Sequence, residues 1–523
     1  MRAPGLLLAI FCIAGLGQVS PVDPRFEATD VHASGPALNP FTWVSGGVLR
    51  GERYDLRKAT LLDLIRIAYQ VAPENIVGGP NWLEFDRFDI AGRAPAETPP
   101  ETVRRMVQSL LAERFRLAIH TEMRPMPAYV LSLGKGKPKL APKLAQATGE
   151  GDAECRWASQ PPGSASITFV CRNISMTAFA ERLRGAAGDY VKEPIVDRTG
   201  LEGKWDFSLE WNPRSQALPE GAPRITISEA VEKDLGLSFA LSQEPVPVLV
   251  VDRAEKPTPN GADAAQKLPS REQAFEVATV KLNKTPQVLP FHVTRGGLRI
   301  PSAPLLTVMG FAWDMNTVHA SEQFIGLPKG IESVDVAIDA RTTKDANAPG
   351  LDAAAEVDDD LREMMRVLLT ERFQMKWHTE DRLMEGYSLL AAKPKLKPAD
   401  PSNRAGCHEA RSMANDPRDT NHWLSTVLSC RNVTIAQFAS TLQKLDNRQF
   451  AYPVEDASGI DGTFDFDLSF TQSGMLERPE AAQGGAISLS EAIRRQLGLR
   501  LEKRKRMLPA VVIDRMSLTP TEN

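Results

Sequence analysis

Two short runs place an imidazole and a carboxylate two residues apart: His120-Thr-Glu122 and His378-Thr-Glu380. On a β-strand, residues i and i+2 share a face, so each pair has the makings of a metal ligand set or a proton relay. The same face then carries Arg116 and Ala118, or Gln374 and Lys376, while Leu117 and Ile119, or Met375 and Trp377, take the other. That is the pattern of an amphipathic strand with a polar outer side, and two ligands fall short of a closed zinc site. With no third ligand nearby in sequence, a solvated strand outweighs a metal or catalytic role. Gly78-Gly-Pro-Asn-Trp82 reads either as a binding loop with an exposed aromatic or as a tight turn with Trp82 over local core; the turn is the simpler account. Lys135, Lys137 and Lys139, with Lys393, Lys395 and Lys397, offer contact with anions, but a solvated connector between the lobes explains them more simply. There is no GxSxG, HExxH or phosphate-binding glycine loop; Gly134-Lys-Gly136 lacks a third glycine. No cofactor and no metal are expected.

The elements that must position these residues occur twice. Leu110-Leu-Ala-Glu-Arg-Phe-Arg-Leu-Ala-Ile-His-Thr-Glu122 answers Leu368-Leu-Thr-Glu-Arg-Phe-Gln-Met-Lys-Trp-His-Thr-Glu380. In the same order, Cys171-Arg-Asn173 answers Cys430-Arg-Asn432, and Gly200-Leu-Glu-Gly-Lys-Trp-Asp-Phe207 answers Gly459-Ile-Asp-Gly-Thr-Phe-Asp-Phe466. Val251-Asp-Arg253 answers Ile513-Asp-Arg515. Such collinearity is an internal duplication. Apolar stripes recur with it: Leu61, Leu64, Ile65 and Ala68 become Leu305, Val308, Met309 and Ala312. Val103, Met106, Val107, Leu110 and Leu111 become Leu361, Met364, Met365, Leu368 and Leu369, so both helices must pack one face on a sheet.

Strands are expected over residues 87–92, 116–121, 129–133, 167–171, 205–211 and 246–252, and a helix over 176–183. Thr226-Ile-Ser-Glu229 and Ser488-Leu-Ser-Glu491 are capping-box patterns, with Gly236 and Gly498 as stops. Asn173-Ile-Ser175 and Asn432-Val-Thr434 fit a glycosylation acceptor, but helix capping suits them better. Asp206 and Asp465, beside large aromatics, read as structural cross-strand contacts.

The chain has 523 residues, 42% hydrophobic and 24% charged, with a net charge of −4, which gives no global drive towards nucleic acid. Arg2, the apolar run Leu6–Leu16 and the small residues Gly15 and Gly17 predict a signal peptide over residues 1–17, too short to span a membrane. Its removal takes Cys12 and leaves Cys155, Cys171, Cys407 and Cys430, two in each copy. An even, duplicated set in an exported chain predicts the disulfides Cys155–Cys171 and Cys407–Cys430. A zinc site using His408 or His422 fails because copy one has no histidine near its cysteines.

Phe26-Glu27, the Leu61–Tyr69 segment, Gly78-Gly-Pro-Asn-Trp-Leu83, Arg87-Phe-Asp-Ile90 and Leu110–Glu122 form a distinctive set. Together with Asp197-Arg-Thr-Gly-Leu-Glu-Gly203 and Val250-Val-Asp-Arg-Ala-Glu-Lys-Pro257, it resembles the soil-associated, Solibacter-type exported proteins. These are an acidobacterial family catalogued as domain of unknown function 3738. Copy two departs at the turn, with Gly326 and Pro328 kept but Gly330 at the Trp position, and at the strand, with Val334-Asp-Val-Ala-Ile338. The resemblance implies no activity and no catalytic residues. The attachment of similar domains to membrane metallopeptidase sensors implies an extracytoplasmic sensing or interaction role. The lobes are also similar in pattern to the short N-terminal domain of secretins and TonB-dependent receptors.

The expected architecture is α+β: a tandem duplication, each copy two small βαββαβ-like lobes with helices on mixed or antiparallel sheets. Copy one spans about 24–257 (lobes about 24–145 and 165–257), a flexible linker 258–273, and copy two about 274–520 (lobes about 274–400 and 424–520). The expected function is a periplasmic or secreted, non-enzymatic binding protein with envelope proteins as partners, no nucleic acid, and no membrane span after cleavage. The alternatives are a hydrolase with a site between lobes, using His120 and Glu122, and a structural spacer.

Overall fold

The computed structural model describes the chain apart from residues 1–22, 36–38, 40–43, 135–144, 147–152, 160–163, 189, 192, 214–223, 272–273, 284–290, 295–296, 316–318, 343–358, 411–425, 478–480, 482–484 and 523. The expected leader (1–17), Lys135, Lys137, Lys139 and His422 lie outside the described residues.

Each copy holds three four-stranded sheets. In copy one, β1 (Ala28–Ala33), β2 (Ser45–Arg50), β3 (Arg53–Thr60) and β5 (Arg87–Arg93) form an antiparallel sheet in the order β1-β5-β3-β2. Helices α1 (Leu61–Tyr69) and α2 (Pro100–Arg114) share its core. The second sheet is mixed: β4 (Ile76–Gly78) runs parallel to β12 (Leu237–Arg253), β12 is antiparallel to β6 (Ala118–Leu133), and β6 is parallel to β10 (Ile195–Arg198). The third, antiparallel, is ordered β7-β11-β9-β8, from Ala145–Gln146, Trp205–Trp211, Ile167–Ile174 and Glu154–Trp157. Copy two repeats all three orders, so the α+β tandem duplication stands.

Local chemistry explains the helices. Thr60 caps α1 through a capping box with Asp63, and the stripe Leu61, Leu64, Ile65 and Ala68 is buried. Each fully buried Leu or Ile of this stripe contributes about 1.5–3 kcal/mol. The α2 stripe is buried too, as is its counterpart Leu361, Met364, Met365, Leu368 and Leu369. Ser175 caps α3 (Met176–Ala186) and Thr434 caps the helix Ile435–Leu445, so both acceptor-like motifs do serve as helix caps. The expected capping box at Thr226–Glu229 is formed, and Gly236 ends that turn in the left-handed region at φ 68°.

The long ribbon of β6 and β12 departs from the expected short strands at 116–121, 129–133 and 246–252. Arg116 instead takes a left-handed conformation at φ 50°, and one strand runs from Ala118 to Leu133. Pro125, Pro127, Pro245 and Pro247 have no N–H to give the ladder, yet it passes through all four. They stand at Met123↔Pro247, Pro125↔Pro245 and Pro127↔Gln243, all of one alternation class. Since neither Pro125 nor Pro245 has an N–H, this is the non-hydrogen-bonded class, with ring nitrogens turned to the outer edges. Those edges are open there, because β10 covers only Tyr129–Ser132 and β4 only Leu249–Val251. The two ends of the ribbon enter different cores. Leu249 and Val251 join the core of the first sheet, and Leu131, Leu237 and Phe239 join that of the third.

The connector between the copies does not hang free as expected. The end of copy one and the first residues of the connector form a strap on copy one: Glu255 N–H donates to Phe115 O (2.7 Å) and Thr258 N–H to Arg114 O (2.9 Å). The Asn260 amide docks on the outer edge of β1, accepting from Val31 N–H and donating to Val31 O, both at 3.0 Å. Further on, Pro269 O accepts from Arg53 (2.6 Å) and Arg271 reaches Asp55 (3.0 Å). The strap belongs to the repeat, because Ser517 and Thr521 make the matching bonds to Phe373 O and Arg372 O at the end of copy two.

Candidate functional site

His120 and Glu122 point to the same side of β6, and the fold adds the third partner that local sequence lacks. On β12, Val251 faces Ile119 and Arg253 faces Ala118, so Asp252 is the extra residue of a β-bulge. A bulge re-aims the side chain it carries, and here it brings Asp252 to the imidazole. His120 Nδ1–H donates to Asp252 Oδ2 at 2.9 Å, and Nε2 lies 3.6 Å from Glu122 Oε2. Arg124 donates to Glu122 from the next residue on that face. Copy two builds the same row on the strands Lys376–Ala391 and Leu499–Arg515. Asp514 is the bulged residue there, 3.0 Å from His378 Nδ1. Nε2 is 3.8 Å from Glu380, which accepts from Arg382 at 2.5 Å.

The electrostatics follow the geometry. The hydrogen bond to Asp252 raises the His120 pKa above its ordinary value, and the hydrogen bond from Arg124 lowers that of Glu122. A histidine held by a carboxylate is how a general base is oriented. Yet Nε2, the atom that would serve a nucleophile, faces Glu122 instead. His120, Asp252 and Glu122 keep 50%, 45% and 37% of their side-chain surface in solvent, so water is not excluded. A groove of about 600 Å³ does exist in copy one, but it runs between β1 and the strap, past His32, Arg87, Lys256 and Asn260, and not at this row. Among the described residues, no group of three or more His, Cys, Asp or Glu side chains is arranged to hold a metal ion.

Trp82 sits in a turn and is half-buried, edge-on to Phe88 with centroids 5.9 Å apart. Lys256 Nζ lies 4.4 Å over the indole and pairs with Asp86. At the corresponding positions copy two has Gly330, Val334 and Leu518, an apolar exchange in which Val334 and Leu518 pack on its core. Lys395 Nζ donates to Arg495 O, while Lys393 and Lys397 are exposed.

The cysteines pair as expected. Cys155 stands directly across the β8–β9 ladder from Cys171, with an S–S distance of 2.04 Å, and Cys407 across from Cys430, at 2.01 Å. These bonds fit an oxidising compartment, and no helix among the described residues is long and apolar enough to cross a membrane. Asp206 and Asp465 play the structural part expected: each accepts from the backbone N–H of a left-handed asparagine, Asn173 or Asn432, at 2.7 Å.

Asp252, Asp514, Arg124 and Arg382 are the members of the row that sequence reasoning did not assign. The recurrence of Val251-Asp-Arg253 as Ile513-Asp-Arg515 was the available signal. Residues 62–254 and 306–516 each match the family described as "Protein of unknown function (DUF3738)". No curated protein and no solved structure matches the chain.

Proposed function

The chain belongs to the DUF3738 family and carries its domain twice; from that premise we propose that it is an extracytoplasmic binding protein that works by contact and has no chemistry of its own. One observation carries the reading: the His–Asp–Glu–Arg row occurs in both copies with nearly the same geometry, on a solvent-exposed strand face. Recurrence through divergence of the surrounding residues marks the row as more than incidental polarity. Openness suits recognition of a polar protein surface, through rim-type hydrogen bonds and charges. Envelope or co-exported proteins are the partners that suit a disulfide-bonded chain.

The oriented histidine keeps a hydrolase as the second reading, since His120–Asp252 is two-thirds of a charge-relay arrangement. One experiment separates them. The purified chain and a His120→Ala/His378→Ala variant are assayed on ester, peptide, glycoside and phosphodiester reporters, and both are used as bait on an envelope fraction. Binding predicts no turnover and a partner captured by the wild type but released by the variant. Turnover lost on the double substitution overturns it. Absence of both turnover and a partner favours the spacer.

A further inference from the structure

Copy one docks on copy two through surfaces that are not equivalent in the repeat. Lys58 Nζ lies 2.5 Å from Asp314, which also receives Asn39 (3.0 Å). Arg57 reaches Asp360 at 3.3 Å and Arg50 at 3.5 Å. At a second contact, Glu84 of copy one meets Arg404 (2.6 Å) and His408 (3.1 Å) of copy two. Gln437 donates to Asn81 O at 2.9 Å, and Phe85 packs against the core around Phe438 and Phe466. Asp314, Asp360 and Glu84 keep only 11%, 14% and 10% of their side-chain surface, so these are desolvated contacts. The turn that distinguishes copy one in sequence is thus part of the docking surface.

Glu84 recurs as Glu332, but most of each half of this interface is written once. Where copy one has Arg57, Lys58 and Phe85, copy two has Pro301, Ser302 and Ser333. Where copy two has Asp314, Asp360 and Gln437, copy one has Gln70, Thr102 and Ala178. A head-to-tail contact between identical units propagates into rings or filaments. With Arg57, Lys58 and the aromatic anchor Phe85 confined to copy one, and Asp314, Asp360 and Gln437 to copy two, it ends after a single contact. A buried charge facing an uncharged partner is penalised, which is how such surfaces reject the wrong copy.

We infer that this is a specific, self-limiting protein–protein interface: copy two is the cognate partner of the copy-one surface, and the pairing does not depend on the covalent connection. The partner class is therefore a DUF3738 domain carrying the acidic and apolar acceptor face of copy two.

The test uses the full chain with a protease recognition sequence inserted between Ala264 and Ala265, beyond the strap. After cleavage, the halves are followed by size-exclusion chromatography with light scattering and by dilution. The expected result is a 1:1 complex with the mass of the intact chain at micromolar concentration. Arg57→Glu/Lys58→Glu is expected to weaken it by about 30-fold or more, and with Arg57→Glu alone, adding Asp360→Lys should recover most of the loss; Asp314 is left in place because Arg362 of its own copy also holds it at 3.2 Å. Phe85→Ala, an uncharged probe with the same expected direction, guards against a folding defect in the charge variant. Halves that separate in the wild type, or pair equally well in both the Glu and Ala variants, would overturn the inference. So would larger species formed when excess copy-one half is added to the intact chain.

Discussion

Loss of the Cys155–Cys171 bond should weaken copy one by an amount that the loop itself sets. The partners are 16 residues apart, which in the chain-entropy account corresponds to about 3 kcal/mol. The location makes this loss felt. β8 is the outermost strand of its sheet, paired only through β9, and Cys171 is fully buried in the core that α3 covers. Without the bond, β8 is held by a short ladder and by Trp157, which packs on Phe169 and Trp211. For a cooperative unit of about 200 residues, each kcal/mol moves the midpoint by about 2–4 °C, so Cys155→Ala/Cys171→Ala should lower Tm by about 6–12 °C. The assay is thermal unfolding by calorimetry with and without dithiothreitol, with alkylation mass spectrometry on the same samples. Reductant should bring the wild type down towards the variant and leave the variant nearly unchanged. A wild-type shift below about 2 °C, or thiols that alkylate without reductant, would refute the reasoning.

Asp206→Ala should cost about 1.5–3 kcal/mol in urea unfolding, the range for a lost charge-assisted hydrogen bond, because the Asn173 N–H loses its acceptor. Asp465→Ala should cost more, since that carboxylate also accepts from Asn403 and Asp400; equal or negligible losses would count against both assignments. In an NMR titration, His120 should titrate above 6.5 and Asp252→Asn should bring it down; an unmoved pKa would break the pairing. Because the folded pKa is raised, the stability this pair adds is complete below the unfolded value and lost as pH rises through the folded one. Gly459→Ala should cost about 1–2 kcal/mol for a left-handed backbone with open space around it. Gly498→Ala should cost more, because its Cβ would strike Lys393 O at 1.7 Å; equal costs would contradict that clash.

What was legible in the sequence was local. The helix stripes, the caps at Thr226 and Ser175, the strand Trp205–Trp211 and the cysteine pairs each follow from spacings of a few residues or from the repeat. Other features were hidden because two distant segments create them. Pro125 and Pro245 fit one continuous ladder because each supplies the other with a partner that also lacks an N–H. Asp252 reaches His120 only through a bulge, and the strap looks like a linker until Arg114 and β1 are in place to receive it. Docking of Lys58 on Asp314 joins positions that differ in charge from their own repeats, so comparison of the copies alone registers them as divergence.

The ribbon also dictates an order of events. Ile76 pairs with Leu249 and Leu131 with Phe239, so the last strand of the copy completes both of its cores. A chain emerging from its N-terminus therefore has the first sheet and its helices, and later the third sheet, while each still lacks the strand that seals it. Neither half of the copy can become final before residue 253 has arrived. A chain cut short before that strand would leave the apolar faces of both cores uncovered together, so one missing segment costs the copy two domains' worth of packing.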